Sequence, residues 1–157
     1  DWAHGEAEEA LHQRLEPGTS SPRARLDLVR AVTDAGLPCH VMLAPVIPHL
    51  SDDDESLDAL LARIAAAGAT SATVLALHLR PGAREWWFAW LGRERPELVP
   101  AYRKLYAGGT YAMQAYRNDL ASRAGPLLDR HGLGSRTAAG HRHVDDVPAK
   151  VPVPTLF

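Results

Sequence analysis

The sequence predicts an α/β fold: two short parallel strands joined through a helix and followed by closing helices, the whole forming the carboxy-terminal part of a larger barrel or open sheet. Three observations predict it. Stretches of helical periodicity alternate with short apolar runs bounded by proline and glycine. A helix between the two strands makes them a parallel βαβ unit. Two parallel strands alone do not make a stable sheet, which needs three or more, and a complete (β/α)8 barrel takes roughly 250 residues where this chain has 157. The first residue is Asp1 rather than Met, which fits a longer parent polypeptide.

Residues 6–15 have a weak helical pattern. Ser21-Pro22 supplies an N-cap and a first-turn proline, which has no N–H to lose there. Leu28, Val29, Val32 and Ala35 then recur at helical spacing, and Gly36 is placed to end the helix in the left-handed conformation. Cys39 to Ala44 reads as a buried strand, and Pro45 to Leu50 as a loop. Ser51 is the expected cap of an acidic first turn, Asp52 to Glu55, where the helix dipole favours negative charge. Leu57, Leu60, Leu61 and Ile64 form its apolar stripe, closed by Gly68, and Thr73 to Leu79 is the second strand. Beyond Pro81-Gly82 the pattern predicts three helices. The first begins at Glu85 and ends near Arg95-Pro96, and the second carries Leu98, Tyr102, Leu105 and Tyr106. The third runs from Tyr111 to about Arg130, bent or split by Pro126. The predicted organisation is a structured portion over 1–134 and a flexible tail over 135–157, rich in Gly, Pro, Ser and His.

Composition narrows the function classes. Hydrophobic residues make up 46% and charged residues 23%, ordinary for a globular protein with a core. No window approaches the about 18 apolar residues of a membrane span, and the opening residues show no basic and apolar signal-peptide regions. Cys39 is the only cysteine, so this chain holds no disulfide framework, cysteine-built zinc site or iron–sulfur cluster; a reducing, cytoplasmic compartment fits. The net charge of −2 conceals a polarity: residues 1–79 carry 5 Lys/Arg against 12 Asp/Glu, and residues 80–131 carry 9 against 5. An anionic partner would meet the later segment.

In parallel α/β folds ligands gather at the carboxyl ends of the strands. Here those ends are Ala44-Pro45-Val46-Ile47-Pro48 and His78-Leu79-Arg80-Pro81-Gly82. The first offers backbone groups and an apolar wall; the second offers His78 and Arg80, expected on one side of a strand two residues apart. Arg80 suits a carboxylate or phosphate, with a structural ion pair as the alternative. The default for His78 is a satisfied rim histidine. Glu16 is an acceptor at the barrel mouth or simply a solvated loop acid, and Arg25 is a cation placed against the dipole of its helix. Trp86, Trp87 and Trp90 read as core packing. His141, His143, Asp145 and Asp146 have metal-ligand residue types but lie in the predicted tail.

Taken as an ordered series, these residues resemble a known family. Arg14-x-Glu16-Pro17-Gly18-Thr19-x-x-Pro22-Arg23-x-Arg25-Leu26, Ala35-Gly36-x-Pro38, Ala44-Pro45-Val46-Ile47-Pro48 and Leu77-His78-Leu79-Arg80-Pro81-Gly82-x-Arg84-Glu85-Trp86 resemble the later half of radical SAM proteins over roughly 14–133. The subgroup they resemble is the spore photoproduct lyase-like, or DNA repair photolyase, set. The resemblance implies the last two strands and closing helices of a partial (β/α)6 barrel. It also implies S-adenosylmethionine (SAM) and a 4Fe-4S cluster in the intact protein, where the cluster cleaves SAM reductively to a 5′-deoxyadenosyl radical. The family's Cys-x3-Cys-x2-Cys loop is absent here, so this chain alone should be inactive and its partner is the missing amino-terminal half of the barrel. What carries over is Ala44, Pro45, Val46 and Ile47, which resemble the segment lining the SAM adenosine, and Arg80. Glu16 and Arg25 match the pattern without an assigned role. The subgroup implies damaged DNA as a substrate.

Two other classes stay open. One is a non-catalytic interaction module docking a protein partner through the aromatic helices and the apolar tail; its Leu156-Phe157 end resembles sliding-clamp-binding peptides without their leading Gln. The other is a phosphate-binding barrel half. Against it, neither Gly108-Gly109 nor Gly132-x-Gly134 joins a strand to a helix as a phosphate loop does.

Overall fold

The computed structural model describes Gly18 and residues 20–134. The elements run α1 (Pro22–Asp34), β1 (His40–Val46), α2 (Asp54–Ala66), β2 (Ser71–Ala76), α3 (Ala83–Glu94), a 3-10 turn (Pro96–Leu98), α4 (Val99–Leu105) and α5 (Gln114–Arg130). The mixed α/β class and the parallel βαβ unit are as the sequence predicts. The weakly helical stretch 6–15, Glu16 and everything in 135–157, including Leu156-Phe157, lie outside the described residues.

Local signals set most boundaries. The Ser21 hydroxyl accepts the Ala24 N–H at 3.2 Å, satisfying one of the orphan donors of α1. Gly36, at φ +78°, turns the chain after α1, and its N–H and that of Leu37 return to the carbonyls of Thr33 and Val32. Gly68 does the same for α2 at φ +90°, and here the absent side chain also matters: a Cβ would lie 2.6 Å from Thr33 Oγ1. That hydroxyl donates to the Ala67 carbonyl at 3.1 Å, so the lack of a side chain lets α1 and the end of α2 approach closely.

Several boundaries differ from expectation. Asp53, not Ser51, caps α2, accepting the Ser56 N–H at 2.8 Å; Ser51 is already engaged, its hydroxyl accepting the Ile47 N–H at 3.0 Å. Strand β1 runs on through the cis Ala44–Pro45 peptide to Val46, with a register irregularity between Leu43 and Val46. Strand β2 stops at Ala76: Leu77 N–H still donates to the Val46 carbonyl at 2.9 Å, but Leu79 N–H donates to the Thr110 carbonyl at 2.9 Å and His78 forms an antiparallel bridge with Tyr111. Tyr111 thus precedes α5, which starts at Gln114 and runs unbroken past Pro126. Leu28 is 66% exposed while Leu26 is buried in its place.

The two strands pair in parallel with His40 opposite Ser71 and Leu43 opposite Val74. Alternation gives the sheet two unlike faces. Leu43, Val46 and Ala72 are buried on one face against Leu26 and Val29 of α1, Leu57, Leu61 and Ile64 of α2, and Leu120 and Leu127 of α5. The opposite face carries His40, Met42 and Ala44 beside Ser71, Thr73 and Leu75; among these, Met42 is 61% exposed and Leu75 44%. His40 ties its amino end together through Ser71 Oγ at 2.7 Å and Thr73 Oγ1 at 3.0 Å. A second core forms where the chain leaves the strands: Leu79, Trp87, Trp90, Leu91, Tyr102, Leu105 and Tyr106 pack together with Ile47, Leu50 and Leu77. Trp86 points elsewhere and is 48% exposed, since adjacent helical residues are separated by about 100° around the axis. No helix among the described residues is long and apolar enough to cross a membrane.

Candidate functional site at the carboxyl ends of the strands

Two buried tyrosines of α4 and its end fix the chain where it leaves the sheet. Tyr102 and Tyr106 are fully buried, stacked with ring centroids 5.8 Å apart. The Tyr102 hydroxyl donates to the Pro48 carbonyl and the Tyr106 hydroxyl to the Leu77 carbonyl, both at 2.7 Å. Each bond satisfies a carbonyl just beyond a strand, which would otherwise be costly in an apolar setting. Burial pushes both phenols well above the ordinary tyrosine range, so both remain donors at physiological pH.

The loop after β1 is held at further points. His49, at φ +62°, donates its N–H to Asp52 Oδ1 at 2.8 Å, while Tyr116 of α5 donates its hydroxyl to Asp52 Oδ2 at 2.7 Å. Burial, then the bond to the Asp52 carboxylate, raises the Tyr116 phenol. Arg123 joins the same corner, donating to the Asp52 carbonyl at 2.6 Å, Asp54 at 2.8 Å and Asp119 at 2.9 Å. After β2, Arg84 donates to the carbonyls of Gly109 at 2.6 Å and Tyr106 at 3.1 Å. Glu85 accepts the N–H of Gly82, whose φ is +86°, opening α3.

On this frame the residues predicted from sequence take distinct places. Ala44 and Pro45 are exposed at the carboxyl end of β1, Val46 is buried in the core, and Ile47 is half-buried against the second cluster. Arg80 is exposed, and its guanidinium has no hydrogen bond or ion pair among the described residues. His78 and Arg80 are not on a strand, which corrects the expected side-by-side pairing. His78 instead stacks on Tyr111, ring centroids 4.4 Å apart and 14° from parallel, with the Arg117 guanidinium 5.7 Å from the centre of the Tyr111 ring. Arg25 is exposed in the first turns of α1. Cys39 sits before β1, at the opposite end of the sheet from the candidate site. Among the described residues no group of three or more His, Cys, Asp or Glu side chains is placed to hold a metal ion.

Sequence reasoning missed the tyrosine supports and the Asp52–Tyr116–Arg123 corner, since their partners lie 29 to 71 residues away. It also missed a shallow apolar cleft of about 410 Å³ between His49, Lys104, Met113, Tyr116 and Asp119, which contains none of the predicted residues.

A second polar contact fastens α5 to α2 and carries a pH dependence. His131 Nε2 lies 2.7 Å and Arg130 Nη1 3.1 Å from Asp58 Oδ1. The hydrogen bond from His131, then the neighbouring Arg130 charge, holds the Asp58 carboxyl below its usual range against an opposing desolvation effect. A carboxyl whose folded pKa is depressed adds stability above its unfolded pKa of about 3.9 and loses it as pH falls through the folded value. Asp58→Asn is therefore expected to lower the thermal midpoint at neutral pH, with the gap to wild type closing below about pH 4. Melting curves across that range read the difference directly.

The chain is 49% identical over 150 residues to uncharacterized proteins of Mycobacterium bovis and Mycobacterium tuberculosis. The match takes in 94% of this chain but only 43% of each relative, so the chain spans less than half the length of the curated proteins it matches. No protein-family description matches the sequence, and no solved structure does.

Proposed function

We propose that this chain is the carboxy-terminal part of a radical SAM enzyme of the spore photoproduct lyase-like subgroup, acting in the cytoplasm. The observation that carries the reading is the parallel βαβ unit whose β1 ends in the exposed Ala44-Pro45 segment, on a chain less than half as long as its relatives. The ordered motifs from Arg14 to Trp86 supply the family.

The 4Fe-4S cluster does not fit this chain: its one cysteine precedes β1, and no metal-holding group exists among the described residues. The cluster and the residues that grip the amino-acid end of SAM belong to polypeptide outside 1–157. Ala44, Pro45, Val46 and Ile47 fit a more limited part, an apolar wall and backbone groups beside the adenosine, with Arg80 available for an anionic group. Tyr102 and Tyr106 are positioning residues, holding the carbonyls of Pro48 and Leu77 so that both strand exits keep their shape. The basic balance of 80–131, with Arg80 exposed, supports DNA as the substrate class.

The test is the coding DNA upstream of the Asp1 codon, translated in three frames. The expected result is a Cys-x3-Cys-x2-Cys stretch on the order of a hundred or more residues upstream, with strand–helix units between, as a barrel of this size requires. An upstream region without that stretch in any frame overturns the reading.

A further inference from the structure

Past the end of β2 two aromatic rings lie together at the surface. His78 and Tyr111 face each other across an antiparallel bridge, and residues opposed in this way project to the same side. Their rings stack 4.4 Å apart and 14° from parallel. The backbone beneath them is fixed at two more points. Leu79 N–H donates to the Thr110 carbonyl at 2.9 Å, and Arg84 donates to the Gly109 carbonyl at 2.6 Å. Neither ring belongs to a core cluster, and Tyr111 stays 60% exposed. A ring this open forgoes most of the burial that ordinarily stabilises an aromatic side chain.

The surroundings are cationic. In the first turn of α5 the Arg117 guanidinium lies 5.7 Å from the centre of the Tyr111 ring and donates to Gln114 Oε1. Arg80 follows His78 by two residues, within about 7 Å along the backbone. It is exposed, and its guanidinium is unpaired among the described residues. The two segments that build this surface, 77–84 and 107–118, contain three arginines and no Asp or Glu. The acids that border them are engaged: Glu85 accepts the Gly82 N–H, and Asp119 pairs with Arg123 at 2.9 Å. Arg84 is held by the carbonyls of Tyr106 and Gly109, which leaves Arg80 and Arg117 for a ligand. Stacked rings beside uncompensated arginines match the two halves of a nucleotide, a flat base and an anionic phosphate. An acidic peptide would engage the arginines and leave the rings idle, and an apolar partner would bury the arginines unpaired.

We propose that His78 and Tyr111 form a stacking platform for one unpaired nucleobase of single-stranded DNA, with Arg80 and Arg117 holding the flanking phosphates. A base inside a duplex has no free face, so the platform takes single strands or a base turned out of the helix. Stacking tolerates every base, so the contact is not sequence-specific. The inference deepens the DNA reading given above and rests on it for the partner's class alone. Cluster, SAM and the polypeptide outside 1–157 play no part in it.

Fluorescence anisotropy tests it with a labelled oligothymidine of about twelve nucleotides, a length within the usual range of single-strand sites. The control is an abasic strand of equal length, which keeps the phosphates and lacks the bases. The oligothymidine should bind roughly tenfold more tightly than the abasic strand, and Tyr111→Ala should lose roughly that factor. Tyr111→Phe keeps the ring and should stay within about twofold of wild type. Arg80→Ala should reduce the slope of log affinity against log salt by about 0.7. Tyr111 and Arg80 are exposed, so these variants should melt with the wild type. Equal affinity for the two strands, or an unchanged affinity in Tyr111→Ala, would assign the surface to anions in general and overturn the proposal. Absence of binding overturns it outright. The same set on the chain extended by its upstream coding sequence gives the reading if the 157-residue chain does not fold alone. Failure here leaves the upstream Cys-x3-Cys-x2-Cys test untouched, and failure of that test leaves the platform standing.

Discussion

Replacing Tyr102 with alanine is expected to destabilise the protein by about 3–5 kcal/mol, the range for removing a large buried aromatic side chain. The ring is fully buried, stacks on Tyr106 and lies 5.9 Å from Trp87, so its loss leaves a cavity in the second core. It also removes the donor to the Pro48 carbonyl. Tyr102→Phe separates these contributions: the ring stays, the carbonyl is orphaned, and the expected cost falls to about 1–3 kcal/mol. Urea unfolding of the two variants beside wild type checks the order. A phenylalanine variant as unstable as the alanine variant would show that the hydroxyl, not the ring, dominates.

Leu61→Ala should cost a comparable about 2–5 kcal/mol, through the other core. Leu61 is fully buried on α2 and faces the cluster joining α1, α2, α5 and the sheet. For a chain of this size each kcal/mol lowers the midpoint by about 2–4 °C, so the loss is visible in a simple thermal scan. Leu61→Met keeps the volume and should cost less than about 1.5 kcal/mol. An alanine variant with an unchanged midpoint would mean that the two strands and three helices do not share a packed interior.

The parts of the fold legible in the sequence are those set by local chemistry. Ser21 caps α1 because its hydroxyl reaches Ala24, and Gly36 and Gly68 stop their helices because the chain needs positive φ there. The apolar runs marked both strands. Ser51, Asp52 and Asp53 are all plausible caps from sequence, and only the folded loop shows Ser51 and Asp52 engaged elsewhere. The end of β2 was hidden for a similar reason: Leu77-His78-Leu79 continues the apolar run, but Tyr106 takes the Leu77 carbonyl and the 110–111 segment draws His78 and Leu79 away. At the candidate site the sequence marked the exit of β1, Ala44 to Ile47, while Arg80 lies beyond the end of β2. It could not mark the supports, because Tyr102 meets Pro48 across 54 residues and Arg123 meets Asp52 across 71.

Formation of 5′-deoxyadenosine by the full-length Mycobacterium tuberculosis relative decides whether this chain belongs to a radical SAM enzyme. The protein is reconstituted anaerobically with iron and sulfide, then given SAM and a strong one-electron reductant. The expected result is a bound iron–sulfur cluster and reductant-dependent release of 5′-deoxyadenosine, with none from the 157-residue chain treated identically. A folded relative that takes up no cluster and leaves SAM intact would contradict it.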